Sequence, residues 1–151
     1  MLIYIGADHR GFKHKDEIKK YLAGLGYTVS DLGNEIFDEL DDYPDFAARV
    51  AEKVALDGSL GILICGSGVG MDIVANKFPG IRSALVSNSE QAIDAKTDDN
   101  VNVLSLAADY TSIEDSKKIV SLWLGAKFSG EEKYKRRLKK IEELEIKLKN
   151  H

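Results

Sequence analysis

At 151 residues and 16.7 kDa, the chain is long enough for one complete domain with a sizeable core and short for two. An apolar fraction of 44% with 30% charged residues excludes a disordered chain, and a formal charge of −4 leaves no basic field to draw nucleic acid or an anionic membrane onto the whole molecule. No apolar run approaches the ~18 residues a membrane span needs, the opening Met1–Gly6 stretch is too short for a signal sequence, and one cysteine excludes an internal disulfide or an all-cysteine metal cage. The expectation is a cytoplasmic protein of one domain, residues 1–151, needing no cofactor or metal and having no nucleic-acid or membrane partner.

Leu2-Ile-Tyr-Ile5 is a short apolar run ending at Gly6 and reads as a buried strand. Ile18, Tyr21, Leu22 and Leu25 then recur at helical spacing, with Gly24 and Gly26 closing that helix. Tyr27–Val29 gives a second strand. After a polar Glu39–Asp42 loop, Pro44 opens a second helix through Phe46, Val50, Ala51 and Val54. Gly61–Cys65 is a third strand, followed by Gly66-Ser-Gly-Val-Gly70 and a helical stretch to Lys77. The Pro79-Gly80 turn introduces a fourth strand, Ile81–Val86. A helix over Ser89–Lys96, a fifth strand over Val101–Leu106 and a helix carrying Ile113, Val120, Trp123 and Leu124 complete the alternation.

Five strands alternating with helices predict an α/β fold, a single doubly wound, Rossmann-like domain with a five-stranded parallel sheet covered on both faces. Beyond the alternation lies a C-terminal helix, 131–149, with Leu138, Ile141, Leu144 and Leu148 on one stripe. That stripe needs a surface, which in a homo-oligomer is the neighbouring subunit. The same segment carries eight Lys/Arg against five Glu, a net +3 on a body of −7. Such a tail either docks on another copy, holds an anionic group, or is a solvated helix face.

Ligands of open parallel sheets sit beyond the carboxyl ends of the strands. The residues there are Asp8 and His9 after strand one, Cys65 and the glycine loop after strand three, and Ser87-Asn88 after strand four. Asp98–Asn102, which precede strand five, are expected to join them in one crevice. In Cys65-Gly66-Ser67-Gly68-Val69-Gly70 the glycines let backbone N–H groups turn inward as a nest for an anion or a developing oxyanion, helped by the following helix N-terminus. A thiol beside those donors is expected to shift toward thiolate and serve as base or nucleophile, the alternative being a structural cysteine ending a strand. His9 suits a sugar hydroxyl or a cap at the strand–helix turn, and His14 is expected on the exposed side of its helix.

The spacing G-x-G-x-G, with apolar Leu85-Val86 where a ribose-binding acid belongs, argues against a dinucleotide. No G-x-x-x-x-G-K-[ST] is present for a nucleoside triphosphate. A receiver domain would place Asp, not Cys, at the end of strand three.

Gly6-Ala-Asp8-His9-Arg-Gly11-Phe12, Asp42-Tyr43-Pro44-Asp45-Phe46-Ala47, Gly61–Gly70, Ala75-Asn-Lys77 and Gly80-Ile-Arg82 together resemble the ribose-5-phosphate isomerase B family, which includes the galactose-6-phosphate isomerase subunits. The resemblance covers nearly the whole chain and implies a metal-independent aldose–ketose isomerase of sugar phosphates working through a cis-enediolate, with ribose 5-phosphate and ribulose 5-phosphate as default pair. It implies Cys65 as the base and Gly66, Ser67, Gly68, Val69 and Gly70 around the oxyanion. Asp8 and His9 would grip the substrate, and Tyr43 would line the pocket. It also implies a homodimer or homotetramer with shared active sites, Lys133 and Arg137 of the last helix serving the phosphate.

Three features depart from the family pattern, the first of them a pair of residues. Asp98-Asp99 replaces the pair whose histidine opens the sugar ring, Asp109 stands at a phosphate arginine, and Lys133 replaces another. Asp98 thus occupies a catalytic position and Asp99 a binding one with altered chemistry, since a carboxylate at neutral pH is a poor proton donor. The alternative is a partner-dependent or non-catalytic subunit that binds a sugar phosphate, or an isomerase of another aldose phosphate, such as an open-chain tetrose phosphate.

Overall fold

The computed structural model describes every residue from Met1 to His151. In chain order the elements are β1 (Leu2–Ala7), α1 (Phe12–Gly24), β2 (Thr28–Asp31), α2 (Tyr43–Asp57), β3 (Leu60–Cys65), α3 (Val69–Ala75), β4 (Ser83–Leu85), α4 (Ser89–Asp99), β5 (Val103–Ala107), α5 (Ile113–Gly125) and α6 (Glu132–Lys149), with a 3-10 turn at His9–Gly11. The strands pair in parallel in the order β2-β1-β3-β5-β4. This is the expected doubly wound α/β sheet.

Helices α1, α4 and α5 cover one face, where Ile18, Leu22, Ile119 and Trp123 pack on Ile3, Ile5, Ile62 and Ile64. Helices α2 and α3 cover the other, where Phe46, Val50, Val54 and Met71 pack on Tyr4, Leu63 and Cys65. Strand β3 feeds both cores by alternation, which is why its sequence is an unbroken apolar run rather than a two-residue pattern. Each fully buried large side chain contributes on the order of 1.5–3 kcal/mol. Trp123, fully buried, also satisfies its indole N–H, which donates to the Val101 carbonyl at 3.2 Å.

Helix ends follow the local chemistry. Gly58, left-handed at φ 72°, closes α2, and Pro44 lies in its first turn. The Asn88 and Ser112 side chains cap α4 and α5. Two strands differ from expectation. Only Ser83–Leu85 pair as β4, because this edge strand has one neighbour, while Ile81 and Val86 turn inward to opposite cores. Strand β5 is shifted toward Ala107, since Val101 is spent under Trp123. His14 is not idle on the surface: its Nε2 lies 2.8 Å from the Thr111 carbonyl, tying α1 to the turn before α5.

Chain direction reverses between β1 and β3: β1 continues through α1 to β2 on one side, whereas α2 carries the chain over the opposite face back to β3. Their carboxyl ends therefore open a crevice. The 3-10 turn after β1 is pressed against β3 at Gly11, where a Cβ would lie 2.4 Å from the Ile64 carbonyl oxygen. Gly11→Ala is expected to destabilise the fold by about 1–3 kcal/mol through overpacking against main chain. Urea unfolding checks this; an unchanged midpoint would show that the turn yields freely.

Candidate active site

Cys65 ends β3 at the crevice with 4% of its surface exposed. The glycine loop wraps its sulfur. Gly68 N–H donates to Sγ at 3.2 Å, and the backbone N–H groups of Ser67 and Met71 also point to it. Gly68 is left-handed at φ 75°, and a Cβ there would meet the Leu85 side chain and the Leu106 backbone, so the nest requires this glycine. Ser67 Oγ accepts from Val69 N–H at 3.3 Å at the start of α3.

The expected shift toward thiolate is not what this environment produces. Burial pushes the Cys65 thiol up, the three backbone donors pull it down by less, and the neighbouring Asp8 carboxylate adds to the rise. The nest is spent on the sulfur itself, in surroundings too dry for the donors to win.

Asp8 is buried, and its carboxylate caps the 3-10 turn by accepting from Arg10 N–H at 3.0 Å and Gly11 N–H at 3.2 Å. Burial raises its pKa against those bonds. His9 is held by a residue that sequence reasoning passed over. Asp41, in the loop between β2 and α2, accepts from the His9 backbone N–H at 3.0 Å and lies 2.7 Å from His9 Nδ1. The hydrogen bond to Asp41 raises the His9 pKa. Asn34 Nδ2 in turn donates to the other Asp41 oxygen at 2.6 Å, and buried Lys15 donates to the Asn34 carbonyl and, at 3.0 Å, to Asp31. Nothing in the sequence links Asp41 to His9, 32 residues away; only the Asp8-His9 pair itself was a signal.

Asp109 has a partner as well. It forms an ion pair with Arg10, whose guanidinium lies over Gly66 so closely that a Cβ there would sit 2.3 Å from Arg10 Cζ. Asp109 N–H also donates to the Gly66 carbonyl at 2.9 Å. At the position where the resemblance implies an arginine for phosphate, this chain has a carboxylate that ties the turn after β1 to the turn after β5. The Tyr43 ring lies against Gly70, whose added Cβ would be 2.5 Å from it, and is 40% exposed at the crevice rim. Asp8, His9 and Asp41 offer three potential ligand atoms within 4.8 Å of one another. Two backbone donors on Asp8 and the His9–Asp41–Asn34 chain account for that clustering by hydrogen bonding.

The expected single crevice does not gather every candidate. Asn88 caps α4 and Ser87 N–H is bound by Gln91, beside a small hollow of about 200 Å³ shared with Asp115 and Lys118. Asp98 and Asp99 end α4, at the amino end of the strands, because a helix between parallel strands returns the chain to that end. The Asp99 carbonyl there accepts from Arg82 Nε at 3.0 Å. Helix α6 lies at the same end: Ser129 N–H bonds the Thr97 carbonyl at its start, and Glu145 accepts from Gly80 N–H near its finish. Lys133 and Arg137, both flanking the Tyr134 ring, are therefore remote from Cys65 of their own chain.

The sequence matches the family model described as Ribose/Galactose Isomerase over residues 3–141. A probable ribose-5-phosphate isomerase B of Mycoplasma genitalium is 44% identical over 141 residues, 92% of each chain. A crystal structure of ribose-5-phosphate isomerase B from that organism, with bound ribulose 5-phosphate, superposes with a TM-score of 0.93 at 42% identity, covering 95% of each chain. The Clostridium thermocellum ribose-5-phosphate isomerase B gives 0.94 at 41% identity, covering 98% of this chain and 99% of the other. A D-erythrulose-4-phosphate isomerase of Pectobacterium atrosepticum is 40% identical over 130 residues, 85% of each chain.

As the sole cysteine, Cys65 reports its own ionisation through its alkylation rate. The rate should rise with a midpoint above that of an ordinary cysteine. Asp8→Asn keeps the cap acceptor but removes the charge, and should move the midpoint down. A midpoint below 7 in the native chain would contradict the account of burial.

Proposed function

This chain belongs to the Ribose/Galactose Isomerase family and is an aldose–ketose isomerase, and we propose that ribose 5-phosphate and ribulose 5-phosphate are its substrate pair, with Cys65 as the base. The observation that carries the assignment of the base is Cys65 in a crevice, ringed by backbone donors and beside the Asp8 carboxylate. In the open-chain aldose the thiolate takes the C2 proton. The C–H electron pair becomes the C1–C2 double bond while the C1=O1 π pair moves onto O1; the O2 proton passes to O1 across the cis-enediolate, and the thiol returns its proton to C1 as the O2 electrons form the carbonyl at C2. The Ser67 hydroxyl and those loop N–H groups not bonded to the Cys65 sulfur would face the oxygen on which charge develops. Asp8, His9 and Tyr43 would hold hydroxyls.

We infer that the working site is completed by a second copy of the chain. Asp98, Asp99, Lys133 and Arg137 lie at the opposite end of the sheet from Cys65, so one chain carries two half-sites that cannot meet within it. Two surfaces support this. Ile36, Phe37, Leu40, Tyr43, Val69 and Tyr110 are exposed at the carboxyl end of the sheet. No residue of α6 is buried, and Ile141, Leu144 and Leu148 line an open groove of about 430 Å³ beside β4. From the second copy, Lys133 and Arg137 would meet the phosphate while Asp98 and Asp99 close the crevice over the sugar. A lone thiol, which persists in a reducing compartment, supports a cytoplasmic setting.

The replacement of a ring-opening histidine by Asp98 favours a second reading, a chain that acts on an open-chain four-carbon substrate or needs a different partner subunit. Assay of the purified chain against aldose phosphates separates the two. Robust turnover of ribose 5-phosphate removes the second, and turnover of a tetrose phosphate alone removes the first. Cys65→Ala should lose at least about a thousandfold in turnover, as expected when the proton-transferring group is deleted, while circular dichroism stays native. Near-native activity in that variant would remove Cys65 as the base. Light scattering should give a dimer or larger assembly at micromolar concentration, and a stable monomer would overturn the shared site.

A further inference from the structure

We propose that His9, held by Asp41, is the acid that opens the sugar ring in this chain, a role that rests on the isomerase reading above. The furanose form of an aldose 5-phosphate must open before C2 can be deprotonated, and opening needs a proton on the ring oxygen. Asp98 ends α4 at the far end of its own chain and would reach the sugar only from a second copy, where an ionised carboxylate accepts hydrogen bonds and has no proton to give. His9 sits in the crevice beside Asp8, with its side chain 27% exposed. Asp41 engages His9 at both its backbone N–H and Nδ1, leaving Nε2 as the nitrogen without a protein partner.

The support behind Asp41 is built in depth. Its second oxygen is held by Asn34 Nδ2, and because a carboxylate only accepts, the Asn34 amide must turn its N–H₂ toward Asp41. The Asn34 Oδ1 is thereby left buried without a partner. A buried unsatisfied amide oxygen is costly and uncommon, and here it is the consequence of fixing Asp41. Lys15 pins the Asn34 carbonyl from below. The Phe37 ring meets the imidazole edge-on at 6.4 Å between centroids and limits its rotation. The charged groups facing His9 are Asp8 and Arg10 on its own turn and Asp41 across the loop. The two carboxylates favour imidazolium, and Arg10 and burial oppose it, with the Asp41 hydrogen bond the largest influence.

In the step itself the anomeric hydroxyl loses its proton to water, its oxygen lone pair forms C1=O1, and the C1–O4 bond breaks. O4 takes the proton from His9 Nε2, and the neutral imidazole is reprotonated from solvent. Asp41 is a positioning residue that binds Nδ1, favours the imidazolium and leaves Nε2 free to act.

Ribulose 5-phosphate supplies the control. Its carbonyl is at C2 and its O5 is esterified, so it forms no furanose, and exchange of its C1 hydrogen in D₂O reads enolisation with no ring chemistry. The experiment compares, for the full chain, forward isomerisation of ribose 5-phosphate with that exchange. Wild type should do both. His9→Gln should lower the ratio of isomerisation to exchange about a hundredfold, the scale of general-acid catalysis. Asp41→Asn should lower it about tenfold and move the alkaline limb of the forward reaction, but not of exchange, to lower pH. Asp41→Glu should recover part of the loss. An unchanged ratio in His9→Gln, whether both rates fall together or neither falls, would overturn the role and leave His9 as a substrate grip or a cap. A wild type that isomerises and exchanges nothing would instead remove the isomerase reading, and this step with it.

Discussion

Everything at the site depends on the reversal of chain direction between β1 and β3. Right-handed crossovers oblige α1 and α2 to lie on opposite faces once β2 and β3 flank β1 on opposite sides. The two strand ends are then adjacent, with no helix crossing between them. Asp8, the first residue after β1, and Cys65, the last of β3, are brought together by that arrangement. Gly11 permits the close approach, because any side chain there would strike the main chain of β3. Arg10 and Asp109 extend the clamp to the end of β5.

Within the crevice, burial and hydrogen bonding compete. The dry position that makes a sulfur base effective against carbon also raises the cost of its charge, and Asp8 beside it raises that cost further. Three backbone donors on Sγ offset the penalty without cancelling it. His9 is the opposite case: it is more open to water, and a directly bonded carboxylate favours its charged form. The two groups are thus tuned apart by environment, one toward the neutral thiol and one toward the imidazolium. Such separation is how acid and base roles are divided in one pocket.

The other end of the molecule has a different logic. Strand β4 is a short edge with one neighbour, and α6 lies across its start without burying a single residue. A groove remains between them, lined from α6 by Ile141, Leu144, Glu145 and Leu148. An edge and an uncovered apolar stripe at one end, with the Cys65 crevice at the other, are the surfaces on which the proposed assembly with a second copy rests.

Much of this was legible in the sequence. The alternation of apolar runs with helical periods determined the five parallel strands and both helix layers, since a two-sided parallel sheet demands continuous apolar strands such as Gly61–Cys65. The glycine loop after Cys65 marked the crevice, because only glycine accepts the left-handed turn at Gly68. What the tertiary structure alone decided were distances between residues far apart in the chain. Asp41 and Asn34 carry no motif, and their importance arises from a loop that folds over His9. Asp109 looks like a lost phosphate ligand until Arg10 is seen beside it. Asp98 and Asp99 precede strand five, and the sequence alone groups them with Cys65, yet helix α4 returns them to the opposite end. The direction of the Cys65 shift also needed the fold. Residue type and spacing place donors beside a thiol, but only packing determines how much water is left around it, and here that balance raises the thiol.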